Sequence, residues 1–449
     1  MDDPTRQPRP TSGTAVWVFA LALLAQVPLI LNAGYFSHDE LQWAALADLS
    51  AGPPVALWDW AGLAAFQYRP LTFDLWMRLS RHLFAFPRAF HAVLVAWGAV
   101  NAGMLAALAR RFGVAAWPAA IGALAFALGP YAVYVHGWVG TLADLIWVSC
   151  ALLIGLLVVR MPPEAGLLAA LASGAITVIA LLGKEAAVSI PALLAAAWWF
   201  TGRERTWGMA LVGSAVVVAV YLALRIDVLL HAPREGAQYA ISVANMPLRW
   251  VEYQLFPWIP SLLETAPTFA RGLTWRVAFA TVAWLALLAA LWRSAPTWAA
   301  LFIAGGVAAL APVLGMGGSS NQYAYAFAAL TAMVVAAAWS RAPEWGRAII
   351  VAAALLNLWH GVNVMHQIRH VGQVQARFSP ALAEAVKESD GPTLRLRMAP
   401  NAEQWIFRRL TFKIPRYRGV AIGDRVRLVG DAEPADYLIE ADGRLTPLR

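Results

Sequence analysis

Through the first 365 positions, apolar residues run in long unbroken stretches rather than in the short periodic spacing of a soluble fold. A helix crossing a bilayer core needs about 20 mostly apolar residues. Segments of that kind lie at 14–33, 89–109, 114–134, 138–160, 165–182, 186–201, 207–225, 273–292, 297–315, 322–340 and 346–365. The pattern predicts an all-α polytopic membrane protein of about eleven transmembrane helices over 1–365. The stretch 71–84 is shorter and carries Asp74, Arg78, Arg81 and His82. It is expected as an amphipathic helix on the membrane surface, one face buried and the other solvated. After His366 the pattern changes. Strand-like pieces at Thr393–Met398, Arg409–Ile414, Arg425–Val429 and Tyr437–Glu440 alternate with Gly, Pro and Asp turns, predicting a small soluble α/β domain over 366–449.

Composition agrees with this division. The chain is 60% hydrophobic and 13% charged, against about half and about a quarter in soluble domains, which excludes an ordinary soluble enzyme; no nucleic-acid partner is expected. Of its 60 charged residues, 24 fall in 366–449. The net charge of +8 carries topology. With the N-terminus cytoplasmic, the inner short loops hold Arg110, Arg111, Arg160, Arg203, Arg205, Arg293, Arg341 and Arg347, and the outer ones only Lys184, as the positive-inside rule requires. The loops 34–88 and 226–272 and the C-terminal domain are then extracytoplasmic. The first apolar run is longer than a signal-peptide core and lacks a clear cleavage pattern, so it reads as a retained anchor. The single cysteine, Cys150, lies in an apolar run, which leaves no intramolecular disulfide and no cysteine-based metal site.

Ionisable residues at or inside such spans are costly, and each calls for a reason. Most fall on the outer face. Asp39 and Glu40 follow the first span, Arg69 stands in Tyr68-Arg69-Pro70-Leu71, and His91 follows Phe90. His136 precedes Gly137-Trp138, Asp144 lies about two turns into the next span, and Lys184-Glu185 form a tip between spans. A carboxylate near a hydroxyl serves as general base, and Arg or Lys holds phosphate by charge-assisted hydrogen bonds. Asp39 and Glu40 are the catalytic candidates, Asp39 the first choice for base; Arg69 and Lys184 are the phosphate ligands, with Glu185 orienting Lys184. His91, His136 and Asp144 are supporting candidates.

Structural alternatives stand beside these roles. The acidic pair would also stabilise a helix N-terminus, Arg69 would snorkel, Lys184 and Glu185 would form a salt-bridged turn, and Asp144 would bond a neighbouring helix. The histidines would be satisfied interfacial residues, and Gly317–Ser320 a flexible outer turn. A divalent metal held by Asp39, Glu40 and a histidine is the alternative to a metal-free site, but no ligand spacing supports it, and no cofactor is expected. Arg69, Arg78, Arg81 and Arg88 run against the positive-inside trend, as binding of anionic lipid or phosphate would explain.

These residues resemble the GT-C glycosyltransferases, whose hallmark is an acidic pair in the first outer loop. The closest pattern is the membrane region of the transmembrane O-mannosyltransferases with tetratricopeptide repeats and their bacterial relatives. Tyr68–Leu71, Phe90-His91, Trp138 with Ala143-Asp144-Leu145, and Lys184-Glu185 with Pro191 match in order over about residues 14–340. Leu142 and Gln322 stand where that family has arginine, and the tail lies outside the resemblance. The resemblance implies a GT-C-like enzyme, a hexosyl or pentosyl transferase of the bacterial inner membrane. It would take its sugar from a polyprenyl-phosphate carrier and pass it, with inversion, to a protein, lipid or glycan acceptor, with membrane lipids around it. Transfer or polymerisation of lipid-linked glycans is the alternative within enzymes, and a transporter or lipid flippase the alternative outside them.

Overall fold

The computed structural model describes residues 12–49, 52–57, 59–231, 236–389 and 391–448. Helix accounts for 73% of the chain. In chain order the helices are α1 Ser12–Ala25, α2 Val27–Ile30, α3 His38–Asp48, α4 Pro70–Leu83, α5 Pro87–Arg111, α6 Ala116–Ala127, α7 Pro130–His136, α8 Leu142–Val158 and α9 Gly166–Gly183. They continue with α10 Ile190–Phe200, α11 Arg205–His231, α12 Met246–Leu255, α13 Trp275–Ser294, α14 Pro296–Leu314, α15 Tyr325–Ala338, α16 Glu344–Glu388 and α17 Gln404–Thr411. The strands are β1 Leu394–Met398, β2 Arg416–Tyr417, β3 Val420–Ala421, β4 Val426–Val429, β5 Tyr437–Ile439 and β6 Leu445–Pro447.

Among the described residues, eight helices are long and apolar enough to cross a membrane: α5, α8, α9, α11, α13, α14, α15 and α16. The pair α6 and α7 passes the same test with a 59° bend, and α1 and the segment Glu185–Phe200 are shorter apolar helices. This is compatible with a multi-pass membrane protein; the expected segments overlap these helices, but 14–33 runs past the end of α1 at Ala25 into α2.

Proline sets the breaks. Pro130 opens α7 and has no N–H to return to the preceding turn. There Gly129 N–H turns to the Phe126 carbonyl, and Asn357 Nδ2 from α16 donates to the Ala125 carbonyl at 2.8 Å. The first apolar segment breaks at Gln26, two residues before Pro28. Gln26 is buried; its amide donates to the Ala22 carbonyl at 3.2 Å, and its Oε1 faces His136 Nδ1 at 2.7 Å.

The stretch 71–84 is a helix, α4. Its buried residues Thr72, Phe73, Trp76, Met77 and Ser80 recur every three or four positions. Trp76 and Phe73 meet Trp43 of α3 at ring distances of 4.6 and 5.5 Å.

The expected boundary at 366 falls inside α16, which runs unbroken for 45 residues. At 1.5 Å per residue this is about 68 Å, over twice the roughly 30 Å of a bilayer core. Its C-terminal half is therefore part of the small domain. Ile368, Val371, Val374, Phe378, Leu382 and Val386 keep a helical spacing there and are buried. They share one core with Leu394, Leu396, Phe407 and Ile439 of the tail, and with Phe36 ahead of α3 and Leu41 within it. The sheet has the order β4-β1-β5-β6, with β1 parallel to β4 and β5, and β6 antiparallel. Three expected strands are present. The fourth, Arg409–Ile414, is instead the end of α17, whose buried Ile406, Phe407 and Leu410 lie on one helical face; a reading begun at Arg409 catches only its last turn.

Candidate functional site

The acidic pair opens α3. Ser37 is the N-cap, and Glu40 closes a capping box with it, its Oε2 accepting from the Ser37 N–H at 3.1 Å. Glu40 Oε1 also accepts from the Val139 N–H at 3.2 Å. Glu40 is thus a buried joint between α3 and the turn ahead of α8. Burial and the neighbouring Asp39 carboxylate raise its pKa to about 8, against the pull of its backbone donors. Asp39, one position earlier, is partly exposed and faces His38 at 3.8 Å. Burial holds the His38 imidazole below its ordinary range; Asp39 opposes this and Arg409 adds to it.

The turn ahead of α3 is seated on α16 at close range. A side chain at Gly34 would place its Cβ 2.2 Å from the Gly372 carbonyl oxygen. The Tyr35 N–H donates to Gln375 Oε1 at 2.8 Å, and His91 Nε2 lies 2.9 Å from the Gly34 carbonyl. His91 is therefore part of this seat. His136 is buried in the bundle with Nδ1 on Gln26 and Nε2 3.0 Å from Tyr325 Oη. Both ring nitrogens of His136 thus have partners, whereas His91 Nδ1 is buried without one among the described residues.

A second cluster collects the remaining candidates. Arg69 Nε donates to Glu185 Oε2 at 2.7 Å, and Lys184 Nζ donates to Asp144 Oδ2 at 2.5 Å. Glu185 therefore orients Arg69, and the partner of Lys184 is Asp144. Chain direction explains the exchange: adjacent residues at a helix end point apart, so Lys184 turns toward α8 and Glu185 toward the loop before α4. Asp144 also accepts from Trp147 Nε1 at 3.2 Å, and the Lys184 ammonium sits 4.8 Å from the centre of the Tyr323 ring. Thr72 Oγ1 donates to the Gly183 carbonyl at 2.7 Å and ties α4 to this tip. Burial weakens the charge on Arg69, but the Glu185 carboxylate more than offsets this and raises its pKa. Among the described residues Arg69 donates only through Nε, so both Nη groups remain open for an anion.

Glu40 connects the two clusters. It grips Val139, and Asp144 lies five residues further on, about 8 Å along a helical path. Among the described residues, no hydrogen bond or ion pair joins Asp39 directly to Arg69 or Lys184.

Two groups outside the sequence-based candidates shape the region. Arg225, fully buried on α11, donates Nη1 to the carbonyls of Leu63 and Ala65 and Nη2 to that of Phe66, and so holds the loop leading to Arg69. A lone arginine at the end of an apolar run is the same signal that marked Asp144. Arg409 of α17 donates to Glu264 at 3.1 Å, with its guanidinium 4.5 Å from the Phe36 ring and 5.6 Å from that of Trp138. Tyr134 shares the same Glu264 oxygen at 2.7 Å. The following Phe412 meets His38 edge-on at 5.1 Å, and its carbonyl accepts from Gln42 at 3.0 Å. The tail therefore borders the start of α3. No local pattern marks Arg409 or Glu264, which lie 145 positions apart.

Comparison with protein-family models, curated proteins and solved structures gave no match. The site thus stands on its own geometry. Two apolar cavities, of about 140 and about 390 Å³, lie among the long helices; the larger sits at the α6–α7 bend. Neither is lined by Asp39, Arg69, Asp144 or Lys184. Among the described residues, no three His, Cys, Asp or Glu side chains converge as a metal site.

Proposed function

We propose that the chain is a membrane glycosyltransferase of the GT-C type, crossing the membrane eleven times. It transfers a sugar from a polyprenyl-phosphate carrier to an acceptor hydroxyl on the extracytoplasmic side. The observation that carries this reading is the pairing of two cations with two carboxylates, Arg69 with Glu185 and Lys184 with Asp144, where apolar helices end. Among the described residues Arg69 makes no hydrogen bond through its Nη groups, and Asp39, near the start of α3, remains partly accessible.

In this mechanism Asp39 takes the proton of the acceptor hydroxyl as its oxygen attacks the anomeric carbon. The bond from that carbon to the phosphate oxygen breaks on the opposite face, inverting the centre, and its electron pair leaves on the lipid phosphate. Arg69 bonds the phosphate through Nη. Lys184, neutralised in part by Asp144, adds field from beneath, the electrostatic contribution that usually dominates such catalysis. The leaving phosphate departs as an anion and needs no general acid. Glu40 holds α3 in register with α8, and the tail covers the acceptor side.

The test is transfer from a polyprenyl-phosphate sugar in proteoliposomes. Asp39→Asn is expected to lower it by about 10²–10⁴-fold while the donor still binds; unimpaired transfer would remove Asp39 as base. Mass spectrometry of envelope glycans and glycoproteins with and without the gene then names sugar and acceptor. The buried Lys184–Asp144 pair also favours a second reading, a transporter or flippase, since intramembrane ion pairs mark such pathways. Movement of a solute or lipid across vesicles lacking any lipid-linked sugar would select it.

A further inference from the structure

The end of α4, the start of α5 and the hairpin β2–β3 form one basic and aromatic rim. Phe84, just past α4, stacks on Tyr35 at 4.6 Å and meets the Tyr417 ring edge-on at 6.3 Å. Tyr35 Oη donates to the Phe84 carbonyl at 2.6 Å. These contacts seat Tyr417, and with it Arg418, whose guanidinium lies 5.5 Å from the Tyr417 ring centre, on the junction between α4 and α5, which carries Arg81 in the last turn of α4 and Arg88 in the first turn of α5. All three arginines are exposed, as is Phe86 between them. Arg78 pairs with Asp74, but among the described residues Arg81, Arg88 and Arg418 form no ion pair.

Local structure disfavours an arginine at two of these positions. Arg418 and Gly419 are the central residues of a two-residue hairpin, both at positive φ, 47° and 81°. Such a turn prefers Asn, Asp or Gly at its first position, so turn chemistry does not explain Arg418. Arg88 stands at a helix N-terminus, where the macrodipole opposes a cation. An anion bound at this junction would offset the dipole cost at Arg88. The first turn of a membrane-length helix lies at the level of the lipid headgroups, and the exposed Phe86 is the aromatic side chain usual at that level.

We propose that this rim, Arg81, Arg88 and Arg418 around Phe86, binds the phosphate of anionic lipid headgroups in the leaflet that α5 enters. The inference rests neither on the glycosyltransferase reading nor on which leaflet that is.

The experiment uses the full chain, delipidated in detergent and re-exposed to phosphatidylglycerol or phosphatidylcholine, with retained lipid counted by native mass spectrometry. Phosphatidylglycerol is expected to be retained preferentially and to be lost as ionic strength rises. Substituting Arg81→Gln, Arg88→Gln and Arg418→Gln together is expected to lower that preference on the order of a hundredfold, about fivefold per arginine. Equal retention of both lipids by the wild type, or unchanged preference in the triple variant, overturns the proposal. So does displacement of the lipid by equimolar inorganic phosphate, which would make the rim a site for free phosphate. If the triple variant does not fold, the salt dependence of the wild type decides alone: retention insensitive to salt overturns it.

Discussion

Glu40 and Asp39 are adjacent and chemically alike, yet burial gives them different work. Glu40 is enclosed with two backbone donors on its carboxylate, whereas Asp39 is partly open. Folding raises the Glu40 pKa from 4.5 to about 8, so folding favours its protonated form. Its contribution to stability is complete below pH 4.5 and is lost as pH rises through about 8. Glu40→Gln is expected to flatten this part of the stability–pH curve, read by thermal unfolding in detergent across that window. Glu40→Ala would leave the buried Val139 N–H unbonded and cost about 1–3 kcal/mol. The Lys184–Asp144 pair gives a sharper contrast. Lys184→Met strands a buried carboxylate and is expected to cost about 3–5 kcal/mol, whereas Lys184→Met with Asp144→Leu should recover most of it. Thermal denaturation of the single and double variants separates this cost from any loss of activity.

At the scale of elements, two helices decide how the α3 region and the α6–α7 bend are built. α17 reaches the turn ahead of α3 through Arg409, which bonds Glu264 and lies over Phe36 and Trp138. Arg409→Met keeps the bulk and removes the charge; faster amide exchange is expected in residues 36–48 and around Glu264, with the spans unchanged. α16 is pressed against the α6–α7 bend, where a Cβ at Gly361 would lie 1.7 Å from the Leu128 carbonyl oxygen. Gly361→Ala must push backbone from backbone and is expected to destabilise by about 1–3 kcal/mol, measured as a fall in melting temperature. The Gly317–Ser320 turn, expected as flexible, is pinned instead. Ser319 Oγ donates to Glu252 at 2.6 Å, and the Ser320 N–H donates to Tyr253 Oη at 3.2 Å. Its glycines and serines read as a loose turn because their anchors, Glu252 and Tyr253, lie on α12, far away in the chain.

For the whole molecule, the proposed orientation makes a direct prediction: a C-terminal reporter that is active only outside the cytoplasm should be active, and one that fluoresces only inside should be dark. The opposite result would reverse every loop assignment. What the sequence determined alone is what local chemistry determines. Apolar run length placed the long helices, charges interspersed in a short apolar stretch placed α4, Gly, Pro and Asp turns delimited three strands of the sheet, and the cost of charge near hydrocarbon singled out Asp39, Arg69, Asp144 and Lys184. Spacing could not show that α16 continues into the tail, because a run-length reading stops where hydrophobicity falls although the helical period persists through Val386. Nor could it pair the charges. That Glu185 serves Arg69 while Asp144 serves Lys184, and that Arg409 reaches Glu264, depends on which helix ends meet in space. Partners 40, 116 and 145 residues apart are chosen by packing, and no local pattern along the chain encodes that choice.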